Sequence, residues 1–241
     1  MKTLVLGASG ATGKLLVEQL LSMGHEVKVI VRPTATIIDT WKNKKKISII
    51  EANISEVSVE EMRDYLSDCQ SVASCLGHNI TMKGMFGKPR RLVADAVELA
   101  CKAIEQNASD TPVKFVLMNT TGNRNRDLNE SIAFGEKLLI GLIRLLVPPQ
   151  VDNENAADFL RVNIGQKHKQ IEWVAVRPDS LIDNDKVSEY ELYASPIRSI
   201  LFSPGKTSRI NVANFMSRLI AEKDLWTKWK GQMPVIYNKE E

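Results

Sequence analysis

Near its start the chain runs Leu4-Val5-Leu6-Gly7-Ala8-Ser9-Gly10-Ala11-Thr12-Gly13. A hydrophobic strand ends in a turn whose glycines recur at spacing three, and an amphipathic helix opens directly behind it. Few arrangements permit so abrupt a reversal. Glycines allow the tight turn and a close approach of the backbone to whatever lies in it, while Gly13 lets helix and strand pack together. The start of the helix presents unpaired N–H groups and the positive end of its dipole to a negative group.

The rest of the chain repeats the strand–helix alternation. Lys2 to Leu6 forms the first strand and Thr12 to Met23 a helix that Gly24 stops. Glu26 to Val31 alternates into a second strand ending at Arg32-Pro33, and Ile47 to Ile50 makes a third. The lysine-rich turn between them, Lys42 to Lys46, reads as a solvated loop. Ser71 to Leu76 is a fourth strand, followed by a helix over Arg90 to Gln106 with Leu92, Val93, Ala96, Val97, Ala100 and Ile104 on one face. Val113 to Met118 and Ile171 to Val176 complete six strands, with helices expected near Ser131 to Leu146 and Asn153 to Val162. A short strand after Ser203 and a helix over Val212 to Glu222 close the tail. This order predicts a Rossmann-type, doubly wound α/β fold: a mainly parallel sheet with helices on both faces. With no internal repeat and no linker, one domain over 1–241 is expected. Residues 1–176 would form its binding core and 177–241 a smaller region covering the substrate side.

Composition excludes several classes. Among 241 residues 44% are hydrophobic and the net charge is only +3, with the basic residues dispersed, so nucleic acid is not the expected partner. Cys69, Cys75 and Cys101 show no CxxC spacing and read as buried reduced thiols. No set of His, Cys, Asp and Glu has metal-ligand spacing, so no metal is expected. The apolar run Leu138 to Val147 is interrupted by Arg144 and ends at Pro148-Pro149, too short to cross a bilayer. It reads as a buried helix or a subunit contact. A cytoplasmic monomer or weak homodimer, away from membranes, is the expectation.

Within this framework the glycine turn is a cradle for a dinucleotide pyrophosphate, to which Ser9 and Thr12 add hydroxyl donors. The second strand ends at Arg32, where an NAD site commonly carries an acid for the ribose 2′-hydroxyl. An arginine there can neutralise a 2′-phosphate and lie along the adenine, which predicts NADP(H) in preference to NAD(H).

The segments Gly7 to Gly13, Val31-Arg32-Pro33, Ser74-Cys75-Leu76-Gly77 and Ile171 to Pro178 together resemble the NmrA-like, NAD(P)H-binding group of atypical short-chain dehydrogenases/reductases. The resemblance covers nearly the whole chain. That group includes flavin, biliverdin and quinone reductases, sugar-nucleotide modifiers, and redox-sensing regulators. The resemblance implies that Asn53 and Ile54 lie near the adenine, Asn53 standing where an aspartate is usual. It implies that Leu76, Gly77 and His78 line the path to the nicotinamide, that Asn119, Thr120 and Thr121 occupy the place of a serine near the substrate, and that Arg177 and Pro178 close the nicotinamide end. Many members of the wider superfamily also carry a Tyr-x-x-x-Lys pair. Here none of Tyr65, Tyr190, Tyr193 and Tyr237 is followed by lysine four residues later, and Val151 to Asp158, where the pair belongs, has neither residue.

Hydride transfer does not strictly require a protein acid. A flavin, quinone or other conjugated acceptor needs alignment over the nicotinamide, and solvent can deliver the proton. The expected activity is therefore an oxidoreductase of that kind, acting on a small-molecule substrate. Thr120 and Thr121 would orient the acceptor, or alternatively satisfy the strand end and begin a turn with Gly122. His78 is the best-placed titratable side chain, as an acid or as a ribose contact. The alternative is a non-catalytic NADP(H)-sensing regulator acting through a protein partner, with the loop Asn119 to Asn129 as lid or partner surface.

Overall fold

The computed structural model describes residues 1–35, 39–42, 44–78, 81, 86–128, 130, 141, 144, 147–199 and 202–239. Six strands run parallel: β1 (Lys2–Leu6), β2 (Glu26–Val31), β3 (Ile47–Glu51), β4 (Ser71–Ser74), β5 (Val113–Met118) and β6 (Ile171–Pro178). The helices are α1 (Ala11–Ser22), the single turn α2 (Asp39–Lys42), α3 (Val59–Leu66), α4 (Leu92–Asn107), α5 (Pro148–Asp158), α6 (Arg209–Ala221) and α7 (Lys223–Trp229). Four shorter strands follow β6: β7 (Ser180–Ile182), β8 (Tyr190–Tyr193), β9 (Lys206–Ser208) and β10 (Val235–Asn238). The main sheet has the order β3-β2-β1-β4-β5-β6-β10-β8, with β8 antiparallel to β10, while β7 and β9 pair separately.

Side-chain alternation along the strands divides the interior in two. Leu4 and Leu6 of β1 join Phe115 and Trp173 in a core beneath α3, α4 and α5. Val5, between them, faces the other side with Val29, Val116 and Val174, beneath α1, α6 and α7. Both faces are covered, which is why the central strands are apolar almost throughout rather than alternating with polar residues.

Several boundaries differ from the sequence-based expectation. Strand β4 stops at Ser74 rather than Leu76, and residues 75–78 leave the sheet. Helix α5 begins at Pro148, ahead of the expected Asn153, since proline fits the first turn of a helix where no N–H is needed; it continues as a π-helical turn over Phe159–Ile164. Helix α3 went unforeseen, although Ser58 and Glu61 form a capping box at its start: the Glu61 N–H donates to Ser58 Oγ and the Ser58 N–H to Glu61 Oε2. The tail contributes more than a strand and a helix, because β10 extends the main sheet beside β6 and α6 packs on α1. The expected helix over Ser131 to Leu146, including the apolar run from Leu138, lies outside the described residues except at 141 and 144. Among the described residues no helix is long and apolar enough to cross a membrane, and no cluster of His, Cys, Asp and Glu could hold a metal ion.

Strand order reverses between β1 and β4, so the connections leaving their carboxyl ends part and open a crevice there. The first connection depends on Gly13, where a Cβ would run into the Gly7 carbonyl oxygen. Gly13→Val is expected to cost about 1–3 kcal/mol by overpacking, read as a lower urea midpoint; an unchanged midpoint would mean that α1 does not seat on the turn in this way.

Candidate functional site

The crevice is a cleft of about 360 Å³, within the ~300–1,000 Å³ usual for small-molecule sites. One side is the glycine turn, through Gly7, Ser9 and Gly10. Gly7 has φ +73°, and a Cβ on it would stand 2.7–2.8 Å from the backbone of Cys75 and Leu76, so two chain segments meet here with no room for a side chain. Gly10 caps α1 without any side-chain acceptor, and the first turn holds no acidic residue. Its N–H groups therefore have no side chain competing with an anion. Ala11, Thr12 and Gly13 form that first turn behind the cleft, with Thr12 and Gly13 buried and Ala11 exposed.

The second side comes from the ends of β2 and β3. Arg32 lines the cleft, is exposed, and forms no ion pair with a described residue. Asn53 and Ile54 follow β3 and line it as well. The Asn53 amide donates to Glu56 Oε1 (2.9 Å) and its carbonyl accepts from Ser55 Oγ (3.0 Å), closing a turn that leaves Ile54 as the apolar surface.

The third side joins Leu76, Gly77 and His78 with Lys88, Pro89 and Leu92. His78 Nε2 lies 2.7 Å from Asp152 Oδ2, and the two side chains are only 5% and 1% exposed. The Asp152 carboxylate also accepts the backbone N–H groups of Val93 (2.8 Å) and Ala94 (3.0 Å) at the start of α4. One buried carboxylate thus ties α5, the start of α4 and the loop after β4 together, at the positive end of a helix where a negative charge is favoured. Sequence reasoning missed Asp152, since an acid among polar residues such as Asn153 and Glu154 carries no distinguishing signal.

The remaining predicted residues do not line this cleft among those described. Asn119 binds its own neighbourhood: its amide donates to the Asn153 carbonyl, and its side-chain oxygen accepts from Thr120 N–H and from the Asn123 amide. The Thr120 hydroxyl accepts from Gly122 N–H, making the turn foreseen as the alternative to an acceptor contact. Thr121 is 1% exposed. Burial pushes the Asp179 carboxyl upward, against the hydrogen bond it accepts from the Gly205 N–H (2.9 Å).

Arg177 and Pro178, expected at the nicotinamide end, are not among the described residues that line this cleft. Pro178 is buried within β6. Arg177 is wholly buried and points inward, its five N–H donors reaching the carbonyls of Met233, Asn123 and Ala194 and, in bidentate fashion, the Glu130 carboxylate. An arginine so saturated anchors a loop; it has no donor left for a ligand.

This fold and cleft agree with what is known of other chains. A family model described as NAD(P)H-binding matches residues 7–223, and the chain belongs to that family. An uncharacterized chloroplastic protein of Arabidopsis thaliana is 34% identical over 74 residues; the match spans 31% of this chain and only 26% of that protein. Among solved structures, a proposed NADH-flavin reductase of Streptococcus pneumoniae superposes with a TM-score of 0.67 at 20% identity, covering 99% of this chain and 100% of that one. A short-chain dehydrogenase/reductase of Veillonella parvula in complex with NADP superposes with a TM-score of 0.71 at 14% identity, covering 98% and 94%. At such identities the likeness establishes the fold.

Removing one member of a buried ion pair leaves the other charge uncompensated. Arg177→Met is expected to lower stability by about 3–5 kcal/mol, measured by chemical denaturation. A variant as stable as the parent would contradict the anchoring role.

Proposed function

We propose that this protein is an NADPH-dependent reductase of a flavin, a quinone or a similar conjugated small molecule, working by direct hydride transfer without a Tyr/Lys pair. The observation that carries this reading is the state of α5. Within the stretch where a catalytic dyad would stand, Asp152 holds His78 and the start of α4, and just ahead of it Gln150 donates to the Gly122 carbonyl. Such a site suits an acceptor that needs alignment rather than a positioned acid.

NADPH, when bound, supplies the hydride. The chain's own residues do the rest. The turn from Gly7 to Gly13, with Ser9 and Thr12, receives the pyrophosphate on the N–H groups at the start of α1. Arg32 meets the 2′-phosphate. Ile54 and the turn closed by Asn53 flank the adenine, while Leu76, Gly77 and His78 form the wall leading to the nicotinamide. Beyond it, the segment Asn119 to Thr121 and residues 177–239 bound the space for the acceptor, and a proton reaches the reduced acceptor from solvent. The missing dyad also fits the second reading, a sensor that binds NADP(H) and acts through a protein partner.

Turnover separates the two. Purified protein should oxidise NADPH with FMN, FAD or a quinone and leave simple carbonyls untouched, and Gly10→Asp should abolish the reaction. Tight NADPH binding with no turnover across the panel would favour the sensor, and failure to bind either nucleotide would overturn both readings. Arg32→Glu is expected to weaken NADPH binding by about tenfold or more, the low end of a charge-assisted contact worth ~1.5–3 kcal/mol, with NADH binding changed little. Equal losses for both nucleotides would remove Arg32 as the selector.

A further inference from the structure

The described residues lining the cleft include two cations, Arg32 and Lys88, and no aspartate or glutamate. The two approach from different sides: Arg32 follows β2, while Lys88 belongs to the connection between β4 and α4, across the switch point. Both are exposed, and neither forms an ion pair with a described residue. Nearby Arg91, by contrast, is paired with both Asp95 (2.9 Å) and Glu98 (2.7 Å), whereas exposed Arg90 forms no ion pair with a described residue and does not line the cleft. A few residues beyond it, Asp152 holds the start of α4 through the N–H groups of Val93 and Ala94.

Charge arithmetic shows what such a cleft lacks. A phosphomonoester carries about −1.5 to −2 at neutral pH, and the pyrophosphate adds to it. Against this, the start of α1 offers roughly +0.5 and Arg32 a single charge. We propose that Lys88 is a second phosphate-binding residue of this cleft, engaging the cofactor's pyrophosphate opposite the glycine turn while Arg32 takes the 2′-phosphate. This rests on the reading of the cleft as an NADP(H) site and goes further by assigning its second cation. Division of labour follows from position: the residue after β2 serves the adenosine end, and a residue between β4 and α4 faces the turn that follows β1.

The test is binding, with no need for turnover. Full-length wild type, Lys88→Ala, Lys88→Arg and Arg32→Ala are titrated with NADPH, NADH and 2′-AMP, which carries the 2′-phosphate but no pyrophosphate. Lys88→Ala should weaken NADPH and NADH alike, by about tenfold, the equivalent of ~1.4 kcal/mol, and leave 2′-AMP unchanged. Lys88→Arg should retain most of the affinity, and Arg32→Ala should affect NADPH and 2′-AMP only. Because Lys88 is exposed, its variants should fold with an unchanged melting temperature. Unchanged affinity in Lys88→Ala, with wild type binding NADPH, overturns this assignment and leaves the parent reading standing. A loss confined to NADPH and 2′-AMP overturns it too, by moving Lys88 to the 2′-phosphate. A wild type that binds neither nucleotide fails at the parent reading.

Discussion

Three backbone segments meet at the mouth of the sheet, where the exits of β1 and β4 cross the start of α1. Gly7 touches the backbone of Cys75 and Leu76, and Gly13 touches the Gly7 carbonyl. A single Cβ at either position would push these segments apart. Their closeness sets the position of α1, whose unobstructed N–H groups face the crevice, and it sets the angle at which residues 75–78 leave the sheet. Both consequences define the cleft. A sheet covered by helices on both faces provides the rigid frame, but the crossing of glycine against backbone decides what can lie above it.

Electrostatics adds a second layer. Elsewhere some basic groups are neutralised in close pairs, as Asp68 does for Lys2 and Lys28, and those lysines hold the Asp68 carboxyl down at about 2. The cleft has no such pair: two cations and a helix start capped by Gly10 without a side-chain acceptor line it or lie behind it, with no carboxylate among the described lining residues. Positive groups left unpaired together around a concave site repel one another, and an anionic ligand relieves that repulsion. Asp152 sits behind this wall without discharging it, because its carboxylate is buried and already engaged by three donors.

The parts of this design readable in the sequence were those written in contiguous residues. The glycine turn, the strand ends and Arg32 follow from local spacing, and most strands lie where the β-branched runs place them. The capping box of Ser58 and Glu61 was equally local and went unread. What could not be read were pairings across long stretches of chain. His78 and Asp152 are 74 residues apart, and Arg177 and Glu130 are 47 apart. Neither pair has a spacing rule, since tertiary packing alone brings them together. Arg177 shows the cost of reading by position: an arginine at the end of β6 looks like a ligand contact until its donors are counted.

The same counting bears on chemistry. A Tyr/Lys pair works because the lysine holds the tyrosine ready to give up or accept a proton at the reacting atom. Helix α5 cannot do this: Gln150 and Asp152 are bound to Gly122 and His78, and beside it the Thr120 hydroxyl serves its own turn while Thr121 is buried. What the chain retains is the glycine turn of an NAD(P)H-binding fold and a wall fixed by a buried carboxylate. Alignment alone accelerates a reaction whose proton step is easy and whose acceptor spreads charge over a conjugated system. On the proposed reading, a site without the pair suits acceptors that stabilise their own reduced form better than isolated carbonyls, whose developing alkoxide calls for a positioned donor.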